Sequence, residues 1–243
     1  MEIQQQPGSS TTSPIPSTCS PALDAVWGKL GDGSHGHHSL LAHSLDVMAV
    51  AMVMIREVMS AGTRQQLAGK LGISEDDVSS LIAFLAGAHD FGKVTPAFQY
   101  RRLSDHLGHY DLLADAGLTD SGTGTAGTPH GNLTTSLLNE ALREHGVRPT
   151  VAVALAQVSG AHHGLPSAAT PVGPHQRGDA AWDAVRREMI EILLALSGAA
   201  NALRTVSCVD VTSASFMAGV VSSADWVGSN ERTFGYTNEA LAI

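Results

Sequence analysis

The chain has 243 residues, enough for one large domain or at most two small ones. Hydrophobic residues make up 43% and charged residues 15%, which provides a core and excludes a wholly disordered polymer. Because only 5% of the residues are aromatic, the core must come mainly from Ala, Leu, Val and Met, and this favours helices. A net charge of −9 argues against a protein that binds nucleic acid by basic charge alone. The chain has twelve histidines, roughly double the usual share, and this surplus is the first functional indication.

Neither the cysteines nor the N-terminal residues indicate export. Cys19 and Cys208 are too few and too far apart for a disulfide framework or a CxxC zinc site, so reduced thiols of a cytoplasmic protein are expected. Residues 1–20 carry no Lys or Arg and no apolar core, so no secretory signal is expected. The apolar stretch Leu40–Met59 contains charged side chains that are costly in lipid. It is predicted to be a buried helix, and no membrane partner is expected.

Helical periodicity dominates the chain, and no convincing period-2 strand is present. The composition predicts a flexible tail over residues 1–20, followed by one all-α globular domain over residues 21–243. Two long loops, one ending in Thr119–Pro129 and one over Gly164–Gly178, are of the kind that lines a functional site. The six predicted helical segments are about Ser39–Met59, the segment from the capping-box-like Ser74-Glu75-Asp76-Asp77 to His89, Leu133–Glu144, Pro149–Ser159, Asp179–Leu196 and Ser213–Ala224.

Histidines and aspartates near the predicted helix ends form a candidate metal site. Five histidines and two aspartates are more than one tetrahedral ion can use, so a carboxylate shared between two ions would account for the excess. Imidazole and carboxylate together suit Fe, Mn, Ni, Co or Zn. Since Gly92 follows His89-Asp90 closely, the helix is expected to break there and let both side chains turn toward one centre. The candidates are His43, with Asp46 three residues later, and His89, Asp90, His130, His162, His163 and Asp225.

Each candidate also has an ordinary structural explanation when it is taken alone. His43 could be a satisfied core histidine, His162-His163 a cationic pair at a helix C-terminus, and Asp225 a turn or capping residue. The preceding stretch 35–38, which contains three histidines, is interpreted as a solvated loop in which only His38 comes near the site.

Taken together, the motifs and their order resemble one protein family over about Trp27–Tyr236. The His-Asp pair followed by a lysine is shared by the whole HD phosphohydrolase superfamily, whereas the paired histidines and the Ala-Asp-Trp ending are much narrower. The chain thus resembles the HD nuclease domain of the CRISPR-associated helicase-nuclease of type I systems, and subtype I-E is the nearest form. The motifs that carry the resemblance are His43-Ser44-Leu45-Asp46, His89-Asp90-Phe91-Gly92-Lys93, Phe98, His130, His162-His163, Ala224-Asp225-Trp226, Ser229-Asn230, Phe234 and Tyr236.

This resemblance implies an HD-type helical fold with two divalent transition-metal ions, Fe, Mn, Ni or Co being favoured over Mg or Zn. The ligands that match one ion are His43, His89, Asp90 and Asp225. The ligands that match the second ion are Asp90, His130, His162 and His163, with Asp90 bridging. The implied catalytic residues are Asp90 and Lys93, the latter matching the active-site lysine of the family.

The resemblance also implies an endonuclease that hydrolyses single-stranded DNA in type I CRISPR interference, with a helicase and a guide-RNA surveillance complex as partners. Arg101 and Arg102 follow the HD motif and, with Lys93, are predicted to bind the DNA backbone, although a solvated surface pair explains the arginines equally well. No phosphate-binding loop is found, because Gly69-Lys70 is followed by Leu71 instead of Ser or Thr. The chain is therefore expected to be an excised nuclease domain or a separately encoded subunit.

Two other classes of function stay open at this point. One is an HD-type phosphohydrolase that acts on nucleotides or cyclic nucleotides, which would need a closed pocket with polar residues that read the base. The other is a degenerate HD fold kept as an interaction module, which would be expected to lose some of the His and Asp ligands.

Overall fold

The computed structural model describes residues 19–30, 37–101, 107–120, 122 and 128–235. Its first half contains α1 (Pro21–Ala25), β1 (Trp27–Leu30), β2 (His37–Ser39), α2 (Leu40–Val53), a π-helical turn (Met54–Val58), α3 (Ala61–Leu71), α4 (Glu75–Gly87), a 3-10 turn (Phe91–Lys93) and α5 (Pro96–Gln99). Its second half contains α6 (Leu107–Asp115), α7 (His130–Glu144), α8 (Pro149–Gly160), α9 (Pro174–Arg177), α10 (Ala180–Ser197), α11 (Ala200–Thr205) and α12 (Val211–Gly228). The predicted all-α class is confirmed, and each of the six predicted segments corresponds to a helix.

Helix α4 is the centre of the core. Its last nine residues include a continuous buried run, with Leu81, Phe84 and Leu85 fully inaccessible to solvent. Helices α2, α3, α8, α10, α11 and α12 all contact α4, and α7 packs along α8. Because other helices pack around α4, its residues beyond the first turn are mostly apolar on every side. Within the described ranges, no helix has both the length and the apolar character needed to cross a membrane.

Local capping signals set the helix starts. Ser39, Ser60 and Ser74 each accept a hydrogen bond from a main-chain N–H in the first turn of α2, α3 and α4, and this satisfies a donor that would otherwise lack a partner. Ser20 caps α1 in the same way, and its N–H and hydroxyl both donate to the carboxylate of Glu188. Ser20, the last residue of the predicted tail, is thus among the described residues, whereas residues 1–18 lie outside them.

The sequence did not predict α3, although its signals were present. Ser60 caps its start and Gly72, with φ of 71°, ends it in the left-handed conformation. Only Leu67, Ala68 and Leu71 of this helix are buried. Because the apolar face is so narrow, periodicity gave little indication of the helix, whereas the Ser and Gly at its two ends could have located it.

The prediction that the chain has no strand is wrong at one place. Strands β1 and β2 pair antiparallel, with Lys29 opposite His38 and an irregularity after Trp27. The sheet is held by Gln99, whose side chain accepts from the main-chain N–H of Trp27 at 3.1 Å and donates to its carbonyl at 2.9 Å. Strands of three and four residues are too short to show an alternating pattern, and their support comes from a residue 72 positions away.

The interpretation of stretch 35–38 as a solvated loop is also wrong for the residues that the structure describes. His38 lies in β2 with 3% of its surface exposed, and its Nε2 is 3.1 Å from Oδ2 of Asp46. The ring of His37 makes an edge contact with His109, which is itself buried. His35 lies outside the described residues.

Candidate metal centre

The seven predicted ligands converge from five different parts of the fold. One comes from the first turns of α2, two from the segment that follows α4, one from the first residue of α7, two from the turn after α8 and one from the last turns of α12. These residues are, in chain order, His43, His89, Asp90, His130, His162, His163 and Asp225. The predicted break after α4 is present, since the helix ends at Gly87 and the His-Asp pair lies in the following turn.

Asp90 lies at the centre of this cluster and is 2% exposed. Its Oδ2 lies 3.2 Å from Nε2 of His89 and 3.6 Å from Nε2 of His43. Both of these nitrogens are also 3.4 Å from Oδ1 of Asp225. One carboxylate oxygen of Asp90 thus belongs to a group with His43, His89 and Asp225, which we call the inner group.

The other oxygen of Asp90 faces different residues. Oδ1 lies 3.1 Å from Nε2 of His130 and 3.5 Å from Nε2 of His162. Nε2 of His130 is also 3.1 Å from Nε2 of His162 and 3.0 Å from Nε2 of His163. These three histidines form the outer group, and Asp90 therefore joins two sets of ring nitrogens through its two oxygens.

The hydrogen bonds of the imidazoles show that this cluster suits a cation. The ring Nδ1 atoms of His89 and His162 lie 2.7 and 2.8 Å from the carbonyl oxygens of Ala86 and Ser159, so each Nδ1 donates and Nε2 is the nitrogen left to take a proton or a metal ion. Nε2 of His89 and Oδ1 of Asp90 have no hydrogen-bond partner although both are buried. Electron pairs that face each other in a buried site need a proton or a metal ion between them. The residues present therefore fit divalent metal ions.

Electrostatics support the same conclusion. Burial lowers the pKa of His89, but the adjacent Asp90 carboxylate and the nearby Asp225 carboxylate outweigh burial and raise this pKa to about 10. Burial would raise the pKa of Asp90, yet the positive charges of His89 and Lys93 hold it well below its usual range. Burial, reinforced by the charge of His89, lowers the pKa of His162 to about 3. The carboxylates of Asp90 and Asp225 thus favour a positive charge at the inner group, and a bound divalent ion would supply that charge in place of the proton on His89.

Close backbone packing holds the His-Asp turn against α7. The N–H of Gly92 donates to the hydroxyl of Thr134 at 2.8 Å, and the same hydroxyl donates to the carbonyl of His89 at 3.0 Å. A Cβ atom at position 92 would overlap main-chain atoms of His130 and Thr134, so only glycine allows this approach. Gly131 plays the same part between α7 and α8, where an added Cβ would lie 2.6 Å from the carbonyl oxygen of Gly160.

Lys93 contacts the centre of the site directly. Its ammonium nitrogen is 2.7 Å from Oδ2 of Asp90 and donates to the carbonyl of Gly28 at 2.9 Å. The residue is 9% exposed. The lysine that the sequence predicted as catalytic therefore lies within the site and holds the carboxylate that joins the two groups.

The two arginines predicted to bind substrate have different outcomes. The guanidinium carbon of Arg101 lies 4.0 Å from the centre of the Phe98 ring, and that ring makes an edge contact with His130 at 5.4 Å between centroids. The Phe98 ring thus separates Arg101 from His130 of the outer group. Arg102 lies outside the described residues. Asp46 pairs with His38 and does not join the cluster.

Sequence reasoning missed two supporting residues. Lys29 donates to the main-chain carbonyl of Ser229 at 3.0 Å, and the hydroxyl of Ser229 donates to Oδ1 of Asp225 at 2.9 Å. Ser229 was noted only as part of the family ending. Its position four residues after Asp225, one helical turn further on, could have indicated the bond to the carboxylate. Nothing local in the sequence pointed to Lys29, since its contact spans 200 positions.

A His-Asp pair surrounded by imidazoles on an all-α frame defines the class of HD-type metal-dependent hydrolases. Comparison with known families narrows this class. The family model for the HD domain of Cas3 matches residues 27–234. The chain therefore belongs to the Cas3 HD domain family, a family of CRISPR-associated nuclease domains.

Individual relatives agree with this family. The CRISPR-associated endonuclease/helicase Cas3 of Thermus thermophilus is 31% identical over 87% of this chain, which spans about a quarter of that relative (23%). A crystal structure of a CRISPR-associated protein superposes with a TM-score of 0.77 at 33% identity, over 90% of this chain and 24% of the other. The Thermus thermophilus Cas3 HD domain, solved in the presence of Ni²⁺, matches with a TM-score of 0.63 at 28% identity, over 89% and 81% of the two chains.

Proposed function

We propose that this chain is a metal-dependent endonuclease that hydrolyses phosphodiester bonds of single-stranded DNA in type I CRISPR interference. The observation that carries the proposal is the position of Asp90, whose two carboxylate oxygens face two separate sets of ring nitrogens. A shared carboxylate is typical of two-metal phosphodiesterases. Subtype I-E stays a prediction.

Two divalent ions would be held by the inner and outer groups, with Asp90 shared. When bound, such ions lower the pKa of a water and neutralise charge on the phosphate. Five of the seven donors are imidazoles, a set that suits Mn, Fe, Co or Ni better than Mg, which prefers oxygen. The Thermus thermophilus HD domain was crystallised in the presence of Ni²⁺, which supports a transition metal here.

The protein's own residues have distinct parts in this proposal. Lys93 keeps a positive charge 2.7 Å from Oδ2 of Asp90, and so fixes the carboxylate while adding a cation beside the phosphate. Arg101, stacked on Phe98, would contact the DNA backbone, and the contact of the same ring with His130 supports this role. Both residues place positive charge locally beside the site, although the whole chain has a net charge of −9.

Accessibility favours a flexible strand over a small ligand. His163 is exposed, and the side chain of His130 is 15% exposed, so the outer group reaches the surface. Trp226, which follows Asp225 directly, is 78% exposed and offers a flat apolar surface on which an unpaired base can stack. Duplex DNA holds its bases in the stack and its phosphates on a rigid surface, so it fits such a site less well.

Partners follow from the relatives. About three-quarters of the Thermus thermophilus endonuclease/helicase lies outside the part that this chain matches. A structure of an RNA-guided surveillance complex before nicking contains a chain that matches 90% of this one, with a TM-score of 0.74 at 25% identity. We infer that a helicase domain or subunit delivers the single strand and that a guide-RNA complex recruits both.

The direct test is cleavage of circular single-stranded DNA by the purified chain. We expect endonucleolytic degradation with Mn²⁺, Ni²⁺ or Co²⁺, no change on adding ATP, and complete loss with EDTA. Asp90→Ala protein prepared in parallel controls for a contaminating nuclease. Linear blunt duplex should survive the same conditions; its efficient digestion without ATP would contradict the single-strand proposal. Turnover of a cyclic nucleotide with no cleavage of DNA would favour the small-molecule alternative.

A further inference from the structure

Strand β1 contacts the metal centre at two successive residues. The main-chain carbonyl of Gly28 accepts from the ammonium of Lys93, and the ammonium of Lys29 donates to the main-chain carbonyl of Ser229 at the end of α12. The first contact reaches Asp90 through Lys93, and the second reaches the segment that carries Asp225. The short strand therefore joins two parts of the chain that each supply a carboxylate.

The second contact continues to a ligand atom. Ser229 ends α12, and its hydroxyl donates to Oδ1 of Asp225 at 2.9 Å. This is the same oxygen that lies 3.4 Å from Nε2 of both His43 and His89. The hydroxyl thus fixes the orientation of the Asp225 carboxylate toward the inner group.

The need for this support follows from the fold. Asp225 lies one turn before the C-terminus of α12, where main-chain carbonyls lack helical partners and the helix end frays easily. Lys29 donates a hydrogen bond to one of those carbonyls. The lysine is half-buried, and the carboxylates of Asp225 and Glu231 attract its positive charge. A helix end fixed in this way keeps its ligand in place before any ion arrives.

We propose that Lys29 and Ser229 are positioning residues for Asp225: Lys29 anchors the end of α12 on β1, and Ser229 orients the ligating oxygen. The inference rests on the proposed function only in that it assumes metal ions at the inner group. Hydrogen-bonding partners of metal ligands typically contribute 10- to 100-fold to metal affinity or activity.

The test is equilibrium binding of Mn²⁺ to the purified chain by calorimetry, with melting temperature in EDTA as the measure of folding. We expect Ser229→Ala to weaken binding of one ion by about 10- to 100-fold, to leave the second ion and the melting temperature in EDTA nearly unchanged, and to be rescued by Ser229→Thr, which keeps the hydroxyl. Lys29→Met should act in the same direction with a smaller effect.

Matched controls exist in the chain. The hydroxyl of Ser223, on the same helix, is exposed and donates only within α12, to the carbonyl of Gly219, so Ser223→Ala should leave Mn²⁺ affinity at the parent value. Lys70 forms a surface pair with Asp210, and Lys70→Met is the control for removing a lysine charge.

Several outcomes would overturn the proposal. Unchanged Mn²⁺ affinity in Ser229→Ala, or an equal loss in Ser223→Ala, contradicts the positioning role. Lys29→Met could also keep the parent metal affinity but bind a single-stranded oligonucleotide more weakly. That result would make Lys29 a phosphate contact instead of a positioning residue. A parent that binds Mn²⁺ but cleaves no DNA refutes the proposed function, yet the comparison of affinities still decides this inference. A parent that binds no divalent ion refutes both.

Discussion

The inner and outer groups share Asp90 but differ in how the protein holds them. The inner histidines, His43 and His89, have side chains that are 1% exposed and come from α2 and the segment after α4, at the centre of the core. In the outer group, His130 is the first residue of α7 and His163 lies exposed in the turn after α8. Only His162 is buried there.

This difference indicates two different roles. A ligand set fixed by core helices needs little rearrangement to bind an ion, so we expect the inner ion to bind more tightly and first. A ligand set at the surface is expected to bind its ion less tightly, but a phosphate can approach it. The inner group would then anchor the site, and the outer group would meet the substrate. The variants below test that division, beginning with the largest expected effect.

Asp90→Ala removes the residue that both groups share. We expect both ions to be lost and cleavage of single-stranded DNA to fall by at least about 10³-fold, because the two oxygens of Asp90 each face one set of nitrogens. Elemental analysis of the purified variant measures this. Two ions retained at full occupancy would show that Asp90 does not bridge.

His130→Ala should separate the groups. The outer ion loses a ligand whose Nε2 lies near those of two other histidines, while the inner residues are untouched. We expect one ion to remain at parent affinity and cleavage to fall by about 10²-fold or more. His175→Ala, a change at a histidine of α9 outside the cluster, is the matched control. Equal weakening of both ions would mean that the groups are not independent.

Lys93→Ala keeps every proposed ligand but removes the cation at Asp90. We expect both ions to stay bound at saturating metal concentration. We expect kcat to fall by about 10²-fold, because a charge that stabilises the reacting phosphate is lost. Because Lys93 also donates to Gly28, the melting temperature should be recorded together with kcat. If the variant cleaves as fast as the parent, Lys93 has a purely structural part.

Gly92→Ala tests the packing that places the His-Asp turn against α7. The added methyl overlaps main-chain atoms of His130 and Thr134, so we expect a loss of about 1–3 kcal/mol in the free energy of unfolding, measured with denaturant in EDTA. Gly219→Ala, in an exposed part of α12 with open space around it, should instead stabilise by about 0.5–1 kcal/mol. Equal stability of the two variants would contradict the close approach.

Trp226→Ala gives the smallest expected effect and concerns substrate only. Loss of one stacked base should raise KM for a single-stranded oligonucleotide by about fivefold, which corresponds to about 1 kcal/mol, while metal binding and kcat stay unchanged. Phe216→Ala removes another exposed aromatic residue of α12 and should have no effect. A change in kcat without a change in KM would argue against stacking.

The parts of the fold that could be predicted are those with local signals. The capping serine at 74 and the apolar run after it located α4. A break near the His-Asp pair was predicted from Gly92, but the helix already ends at Gly87, and Gly92 is needed instead for the close packing on α7. The candidate ligands could be named because His and Asp near helix ends are few and fit a family pattern. Their actual binding of metal stays a prediction.

The parts that could not be predicted depend on contacts between distant residues. Strands β1 and β2 are held by the bonds between Gln99 and Trp27, which are 72 positions apart. The link from Lys29 to Ser229 is of the same kind. Such contacts leave no periodicity in either segment, so only the folded chain reveals that the small sheet supports the site.

The central claim is that Asp90 bridges two ions, one in each group. The most direct measurement is a crystal structure of the chain grown with Mn²⁺, with anomalous difference density collected for the metal. We predict two peaks about 3.5–4 Å apart, one on each side of the Asp90 carboxylate, with the inner peak the stronger at limiting Mn²⁺. A single peak, or two peaks of which only one contacts Asp90, would contradict the account.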